Sequence, residues 1–196
     1  MLDGYFMNKK IIKSTPFGPV AIIWDVFQVG PKIIRVILSK PSISAISKME
    51  ELYPSTCETS CVEIDSVASD MIRLLEGEPV DFSLEIVDLD ICGKFQRRIL
   101  RAEHAKPRGH VSTYKLIAQY LGVPKGARAA GNALANNPFP LIIPCHRAIR
   151  SDLSLGGYQG GLTMKRALLS MEGIMFDNSG RVKCLNFYYE KNNESN

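Results

Sequence analysis

The sequence lacks any run of eighteen apolar residues, so no membrane-spanning helix is expected. Its first fourteen residues, MLDGYFMNKKIIKS, lack the continuous apolar stretch of a signal peptide. The five cysteines form no regular frame, which argues against a disulfide scaffold and for intracellular thiols. A cytoplasmic location, nuclear in a eukaryotic source, is the matching expectation. Only three histidines are present, at 104, 110 and 146. Cys57 and Cys61 are four apart, but no His or Cys pair follows at zinc-finger spacing, so no metal site is expected. Internal repeats and low-complexity stretches are absent as well. What remains is a chain of 196 residues, 45% hydrophobic and 22% charged, suited to one or two globular domains with real cores.

Acidic residues are scarce in one part of the chain only. Residues 92–172 carry three Asp/Glu against thirteen Lys/Arg, a net +10, whereas residues 1–91 sum to −6. Such a split suggests that the second half meets a polyanion; a solvated basic face is the plainer alternative. The sign changes near Asp90, where the domain boundary is placed, giving domains over 1–90 and 91–196.

The first half reads as α/β. PVAIIWD and KIIRVILSK form a candidate strand pair around a VGP turn. ISAISKMEELYP has helical spacing and stops before Pro54. EIDSVASDMIRLLEGEP is an amphipathic helix with Val67, Met71, Leu74 and Leu75 on one side. VDFSLEIVDLD alternates loosely and reads as a strand or an extended linker. The second half reads as mainly helical. FQRRILRAEHAK, STYKLIAQYLG, PKGARAAGNALANNP and GLTMKRALLSMEG are four candidate helices, the second capped by Ser112 or Thr113 and stopped by Gly122, the last stopped by Gly173. The tail EKNNESN is expected to fray.

The LGVPKG turn between two helices makes a helix-turn-helix candidate, with an ordinary helical hairpin as the alternative. The helix after the turn is almost bare: Arg128 projects from a surface of Ala127, Ala129, Ala130 and Gly131. A usual recognition helix carries several long polar side chains for the major groove. A bare helix suits close, sequence-tolerant minor-groove binding with Arg128 inserted, and it equally suits close packing in a core.

The stretch PFPLIIPCHRAIRSD holds the clearest chemistry. An apolar run, Leu141–Ile143, reads as a buried strand that ends at Pro144. Cys145, His146 and Arg147 follow. A free thiol near pKa 8.5 is only a few per cent thiolate at neutral pH, and neighbouring positive charge or a base raises that fraction. Adjacent side chains in an extended chain point to opposite faces, so His146 reaches the sulfur only through a sharp bend or a bridging water. The imidazole also needs a carboxylate to orient it, and Glu172 is the candidate. The glycines of GGYQGG allow a ligand close to the backbone. A buried structural cysteine followed by surface charges is the alternative. Cys92 and Cys184 read as buried small hydrophobes.

Taken together, PRGHVSTY, ARAAGNALANNP, PLIIPCHRAI, GGYQGG and SMEG resemble the O6-alkylguanine-DNA alkyltransferases, in that family's order and spacing from Phe95 to Gly173. Over residues 1–90 the resemblance rests mainly on TPFGPVAI. It implies an N-terminal ribonuclease-H-like α/β domain and a C-terminal domain with a helix-turn-helix. It implies irreversible, single-turnover transfer of an alkyl group from O6 of a flipped-out O6-alkylguanine to Cys145, with O4-alkylthymine as a second substrate. His146 would relay the proton of Cys145 through water, Glu172 would orient His146, Asn137 would brace the turn and Tyr114 would donate towards guanine N3. Tyr158 would line a pocket shared with Pro140, Ala148 and Gln159. Gln159 and Ala148 stand where relatives often carry a small residue and valine. Arg128 would fill the space of the flipped nucleotide, with Ala127, Ala129, Lys115 and Ser151 against the DNA. The expected partner is double-stranded DNA bearing O6-alkylguanine, bound by a monomer through the minor groove with little sequence preference. No cofactor, metal or membrane partner is implied. Lys165 reads as a solvated helix residue, otherwise as a cation at the pocket edge.

Three other readings compete. A non-catalytic damage binder conflicts with a retained Cys145. A cysteine hydrolase leaves the basic half unexplained. A transcription regulator needs sequence-reading side chains that the bare helix lacks.

Overall fold

The computed structural model describes residues 7–183 and 187–190. The expectations for Cys184 and for residues 191–196 lie outside the described residues.

The chain divides into two compact units. The first runs to Ile91 and includes Pro138–Ile142 and Gln159–Gly161; the second comprises Cys92–Asn137, Ile143–Tyr158 and the chain from Leu162 onward. The first unit is built on a four-stranded sheet. Strands β1 (Met7–Ile12), β2 (Val20–Phe27) and β3 (Gly30–Leu38) pair antiparallel, and β4 (Thr56–Glu58) runs parallel to β1, giving the order β3-β2-β1-β4. β2 and β3 form because β-branched residues dominate both: Ile22 faces Val36 and Ala21 faces Ile37 across the pair. The turn is tight because Gly30 takes a φ of +105°, where a Cβ would be strained.

Helix α1 (Ala45–Leu52) starts at Ser44, whose hydroxyl accepts from Ile46 N. It lays Ala45 and Met49 on Ala21, Ile23 and Ile37 of the sheet. Helix α2 (Val62–Leu75) buries Ile64, Val67, Ala68, Met71, Leu74 and Leu75, a stripe at helical spacing, next to β1. The segment VDFSLEIVDLD, read as a strand or an extended linker, is not a strand. It forms two 3-10 turns, Leu84–Ile86 and Leu89–Ile91, and only Val87 bridges to Ile33.

The second unit is mainly helical: α3 (Lys94–His104), α4 (Tyr114–Tyr120), α5 (Ala127–Ala135) and α6 (Gly161–Met171). α3, α4 and α5 pack on one another. Ile99, Leu100, Ile117, Ala118, Ala130 and Leu134 are buried within this group. Between them run two-residue ladders. Strand β5 (Ser112–Thr113) pairs parallel with β6 (Ala148–Ile149), and β7 (Met175–Phe176) pairs antiparallel with β8 (Val182–Lys183). A second apolar cluster joins Val111, Ile149, Leu155, Leu169 and Val182. Among the described residues, no helix is long and apolar enough to cross a membrane.

Candidate active site

The segment before Cys145 is not the expected strand. Leu141 takes a left-handed φ of +76°, which an L residue does not adopt in a strand. The chain instead turns twice. The Cys145 amide donates to Ile143 O at 2.7 Å, and the Arg147 amide to Pro144 O at 2.9 Å. Asn137 Nδ2 donates to the same Ile143 carbonyl at 3.0 Å, so one buried side chain braces the bend. Cys145–Arg147 is therefore a single 3-10 turn that leads directly into β6. The backbone thus supplies a sharp bend, one of the two ways expected for His146 to reach the sulfur.

All three residues of the turn are buried, His146 completely. His146 Nε2 lies 2.8 Å from Glu172 Oε1. Burial pulls the imidazole pKa below its ordinary value against the pull of Glu172, so the ring is neutral at neutral pH. A carboxylate only accepts, so Nε2 carries the proton and Nδ1 presents a lone pair. That Nδ1 is enclosed and takes no hydrogen bond from the described residues.

Glu172 is held from its other side. Arg147 Nε contacts Oε2 at 2.9 Å and Oε1 at 3.1 Å, and Nη2 contacts Oε1 at 3.0 Å. Burial raises the Glu172 pKa, but His146 and Arg147 together outweigh it and hold the carboxyl at about 2. Arg147 is itself anchored: Nη1 donates to Lys106 O at 2.6 Å, and Lys106 Nζ returns a bond to Arg147 O at 3.0 Å. Lys106 is also paired with Glu103 at 2.8 Å, both side chains fully buried.

The thiol is not pre-ionised. Burial pushes Cys145 up to about 11; a hydrogen bond from Asn137 lowers it and Glu103 raises it, with Lys165 giving a smaller favourable field. The expectation that neighbouring positive charge enriches the thiolate is corrected here. The Arg147 charge is committed to Glu172, and desolvation wins.

Two tyrosines complete the surroundings. Tyr114 opens α4 behind the cap made by Thr113 Oγ1, which accepts from Leu116 N. Burial lifts its phenol to about 12, with Cys145 adding to the shift, so it is a donor at neutral pH. Its ring lies against the glycine loop: a Cβ placed on Gly156 would come within 2.8 Å of Tyr114 Oη, and the φ of +67° there favours glycine independently. Tyr158 sets its ring edge-on to His146 at 6.1 Å between centroids. Its enclosed hydroxyl has no hydrogen-bond partner among the described residues, and burial raises its pKa well above the ordinary value.

Lys165 is the largest departure from expectation. It is fully buried rather than solvated. Its ammonium donates to the carbonyls of Ala148 at 2.6 Å, Leu155 at 2.5 Å and Gly157 at 3.3 Å, one acceptor for each N–H. It thus staples the Gly156–Gly157 loop to β6. Desolvation lowers its pKa to about 8, opposed by Cys145 and Glu103. A pattern signal existed: Met164, Lys165, Leu168 and Leu169 lie on one buried stripe of α6. Nothing in the sequence marks Glu103 and Lys106, three apart, as a buried pair.

The remaining residues are more scattered. Ala148 is fully buried in β6. Arg128 and Ala129 are exposed in the first turn of α5, Ala127 is half-buried beside them, and Lys115, Lys125 and Ser151 are exposed. Pro140, buried, and Gln159, half-buried, fall in the first compact unit. Cys92 is buried, and Cys57 and Cys61 are free thiols. No cluster of three metal-ligating side chains occurs among the described residues.

Residues 94–174 match the family model of the 6-O-methylguanine DNA methyltransferase DNA-binding domain. The methylated-DNA–protein-cysteine methyltransferase of Methanothermobacter thermautotrophicus is 40% identical over 145 residues, 74% of this chain and 81% of that protein. Its namesake from Pyrobaculum aerophilum is 45% identical over 92 residues, 47% of this chain and 58% of that protein. Among solved structures, Mycobacterium tuberculosis OGT in complex with DNA superposes with a TM-score of 0.64 at 27% identity, over 84% of this chain and 92% of that one. The mixed α/β architecture is the one seen in that structure. With a long alignment at this identity and a family model spanning the Cys145–Glu172 constellation, the chain belongs to the methylated-DNA–protein-cysteine methyltransferase family.

Proposed function

We propose that this chain repairs alkylated DNA by moving an alkyl group from O6 of guanine to the sulfur of Cys145, once per molecule. The observation that carries the reading is the His146–Glu172 contact of 2.8 Å. It fixes the tautomer that leaves Nδ1 as a base next in sequence to a buried thiol. With a thiol near pKa 11, ionisation before the reaction is rare. General-base removal of the proton as the S–C bond forms avoids that cost. The proton passes from Sγ through one water to Nδ1, and the imidazolium that results is stabilised by Glu172. As the C–O6 bond breaks, negative charge develops on guanine, and the protonated Tyr114 hydroxyl donates to N3. Asn137 holds the bend that carries the sulfur. The thioether product has no ready leaving path, so the sulfur stays capped. O4-alkylthymine presents the same alkyl ether and is a second substrate.

Guanine O6 lies inside the duplex against its pairing partner, so the base must leave the stack, at a cost of a few kcal/mol that a weakened lesion pair reduces. The first unit corresponds to a ribonuclease-H-like domain, and α4, the turn and α5 to a helix-turn-helix. The exposed Arg128 enters the minor groove and occupies the vacated stack. Ala127 and Ala129 permit close approach, while Lys115 and Ser151 meet phosphates. Tyr158 and Ala148 bound the base pocket. A side-chain-poor α5 reads little sequence, which supports sequence-tolerant binding by a monomer.

The test is a duplex carrying radiolabelled O6-methylguanine. Label should transfer stoichiometrically to Cys145 and be abolished in Cys145→Ser; label left on the DNA, or many turnovers, overturns the proposal. Arg128→Ala should impair repair in duplex far more than reaction with a free alkylguanine base, and equal losses would remove the stack-filling role.

A further inference from the structure

A cavity of about 620 Å³ opens on α4, distinct from the cluster around Cys145. Leu116, Gln119, Tyr120, Gly122, Pro124 and Tyr189 line it. We propose that it is a second nucleobase site, which takes an unpaired base of single-stranded DNA by stacking on Tyr120. This inference rests on the DNA-repair reading above.

The cavity wall is an aromatic platform. Tyr120 and Tyr189 stack at 4.0 Å between centroids and 26° between planes, and Tyr188 meets Tyr189 edge-on at 4.6 Å. Tyr120 is nevertheless 61% exposed, so much of its ring remains open to a further planar group. The platform is held in place from behind. Tyr189 Oη donates to Ala102 O at 2.7 Å, the Tyr188 amide to Val111 O at 2.9 Å, and Ser112 Oγ to Tyr188 O at 2.5 Å. These contacts keep Tyr189 at a left-handed φ of +69°, a strained conformation for a residue with a side chain. Strain that the surroundings over-determine is characteristic of ligand-holding positions. Gln119 adds an exposed amide, able to donate and accept, to the lining.

The electrostatics favour a base within a polyanion over an aromatic peptide. No Asp or Glu occurs between Glu103 and Asp152, while five Lys/Arg do besides the buried and paired Lys106 and Arg147, including Lys115 on α4 and Lys125 in the turn. The neighbouring acid, Glu190, turns its carboxylate to the Phe187 amide at 3.2 Å. Pro124 on the cavity wall is four residues from Arg128, at most about 15 Å by chain length. A strand that meets the backbone at Arg128 is therefore within about 15 Å of the cavity wall at Pro124. An aromatic surface beside a basic track is how proteins hold single strands with little regard to sequence.

The experiment measures the affinity of the full chain for oligothymidylate, for an oligomer of the same length with abasic sugars, and for a lesion-free blunt duplex. Base stacking on one aromatic ring corresponds to about fivefold to 150-fold in affinity. Tyr120→Ala should lose that factor on oligothymidylate alone, and Tyr120→Phe should retain it. Reaction with a free alkylguanine base should be unchanged in both variants, which verifies folding. In the unaltered protein, 2-aminopurine within the oligonucleotide should be quenched on binding. Unchanged oligothymidylate affinity in Tyr120→Ala, an equal loss on the abasic oligomer, or unquenched 2-aminopurine overturns the site. Absence of alkyl transfer from duplex DNA would instead defeat the repair reading, and Tyr120-dependent binding of oligothymidylate would still decide the cavity.

Discussion

Replacing Lys165 with methionine puts the buried ammonium to a quantitative test. The aliphatic stem is preserved and the charge removed. Three carbonyls, of Ala148, Leu155 and Gly157, then lose their donor. Each buried acceptor left unpaired costs about 1–3 kcal/mol. Against this stands the relief of desolvation. A pKa pulled from 10.5 to about 8 means that the charged form is disfavoured in the fold, by about 3 kcal/mol at about 1.4 kcal/mol per pH unit. At about 2 kcal/mol for each of the three carbonyls, the loss exceeds that relief and leaves a net destabilisation of about 2–3 kcal/mol. For a chain of this size that is a drop of about 5–10 °C in Tm. The pH dependence gives a second signature. Below about pH 8 the lysine is protonated in both states and the desolvation penalty is in full force. Between about 8 and 10.5 the unfolded chain holds more protons, so this group makes stability rise with pH. Cys145 works in the opposite direction over part of the same window, because its thiol stays protonated up to about 11 in the fold. The difference between the unaltered protein and Lys165→Met isolates the lysine. Calorimetry or urea unfolding at pH 7.5 and pH 10 measures both effects. A variant as stable as the parent at pH 7.5, or a stability difference that does not change with pH, would refute the staple.

Three further outcomes are expected. Glu172 is ionised in the fold down to about pH 2, so its contribution of about 3 kcal/mol is present above pH 4.3 and is lost as pH falls from there towards 2; acid unfolding of Glu172→Gln should lack that component, and an unchanged acid profile would contradict it. Alkylation of Cys145 by iodoacetamide should rise about tenfold per pH unit from pH 7 to 10, and a plateau at or below pH 9 would show a thiol less buried than described. Gly156→Ala introduces both a strained φ and a contact of 2.8 Å with Tyr114 Oη; it should lower stability by about 1–2 kcal/mol and slow reaction with free alkylguanine, whereas wild-type values for both would mean that the loop and ring adjust.

What could be read from sequence follows from periodicity and locality. β2 and β3 announce themselves as short apolar runs on either side of a Gly-Pro turn, and α2 because its buried residues recur at helical spacing. β1 does not: MNKKII places Lys9 and Lys10 in its middle, and its stripe is only half-buried. β4 is three residues long, too short to carry a pattern. Leu141–Ile143 is apolar enough for a strand, yet the left-handed Leu141 and the bracing Asn137 make it a bend. In the site, Cys145, His146 and Glu172 were legible as a motif. The Arg147–Glu172 clamp spans 25 residues and has no local signature. The stripe of α6 that holds Lys165 carries a periodic signal, but neither it nor the Glu103–Lys106 spacing reveals a buried charge, because that depends on carbonyls supplied by distant segments.

The two-residue ladder of β5 and β6 has a mechanical corollary. Ser112 and Thr113 pair with Ala148 and Ile149, and Tyr114 and the Cys145–Arg147 turn are the immediate covalent neighbours of those two strands. Tyr114 therefore follows one end of this short splice, and the turn that carries the sulfur precedes the other. Displacing either strand shifts proton donor and nucleophile in concert, so their registry survives breathing of the longer loops on each side.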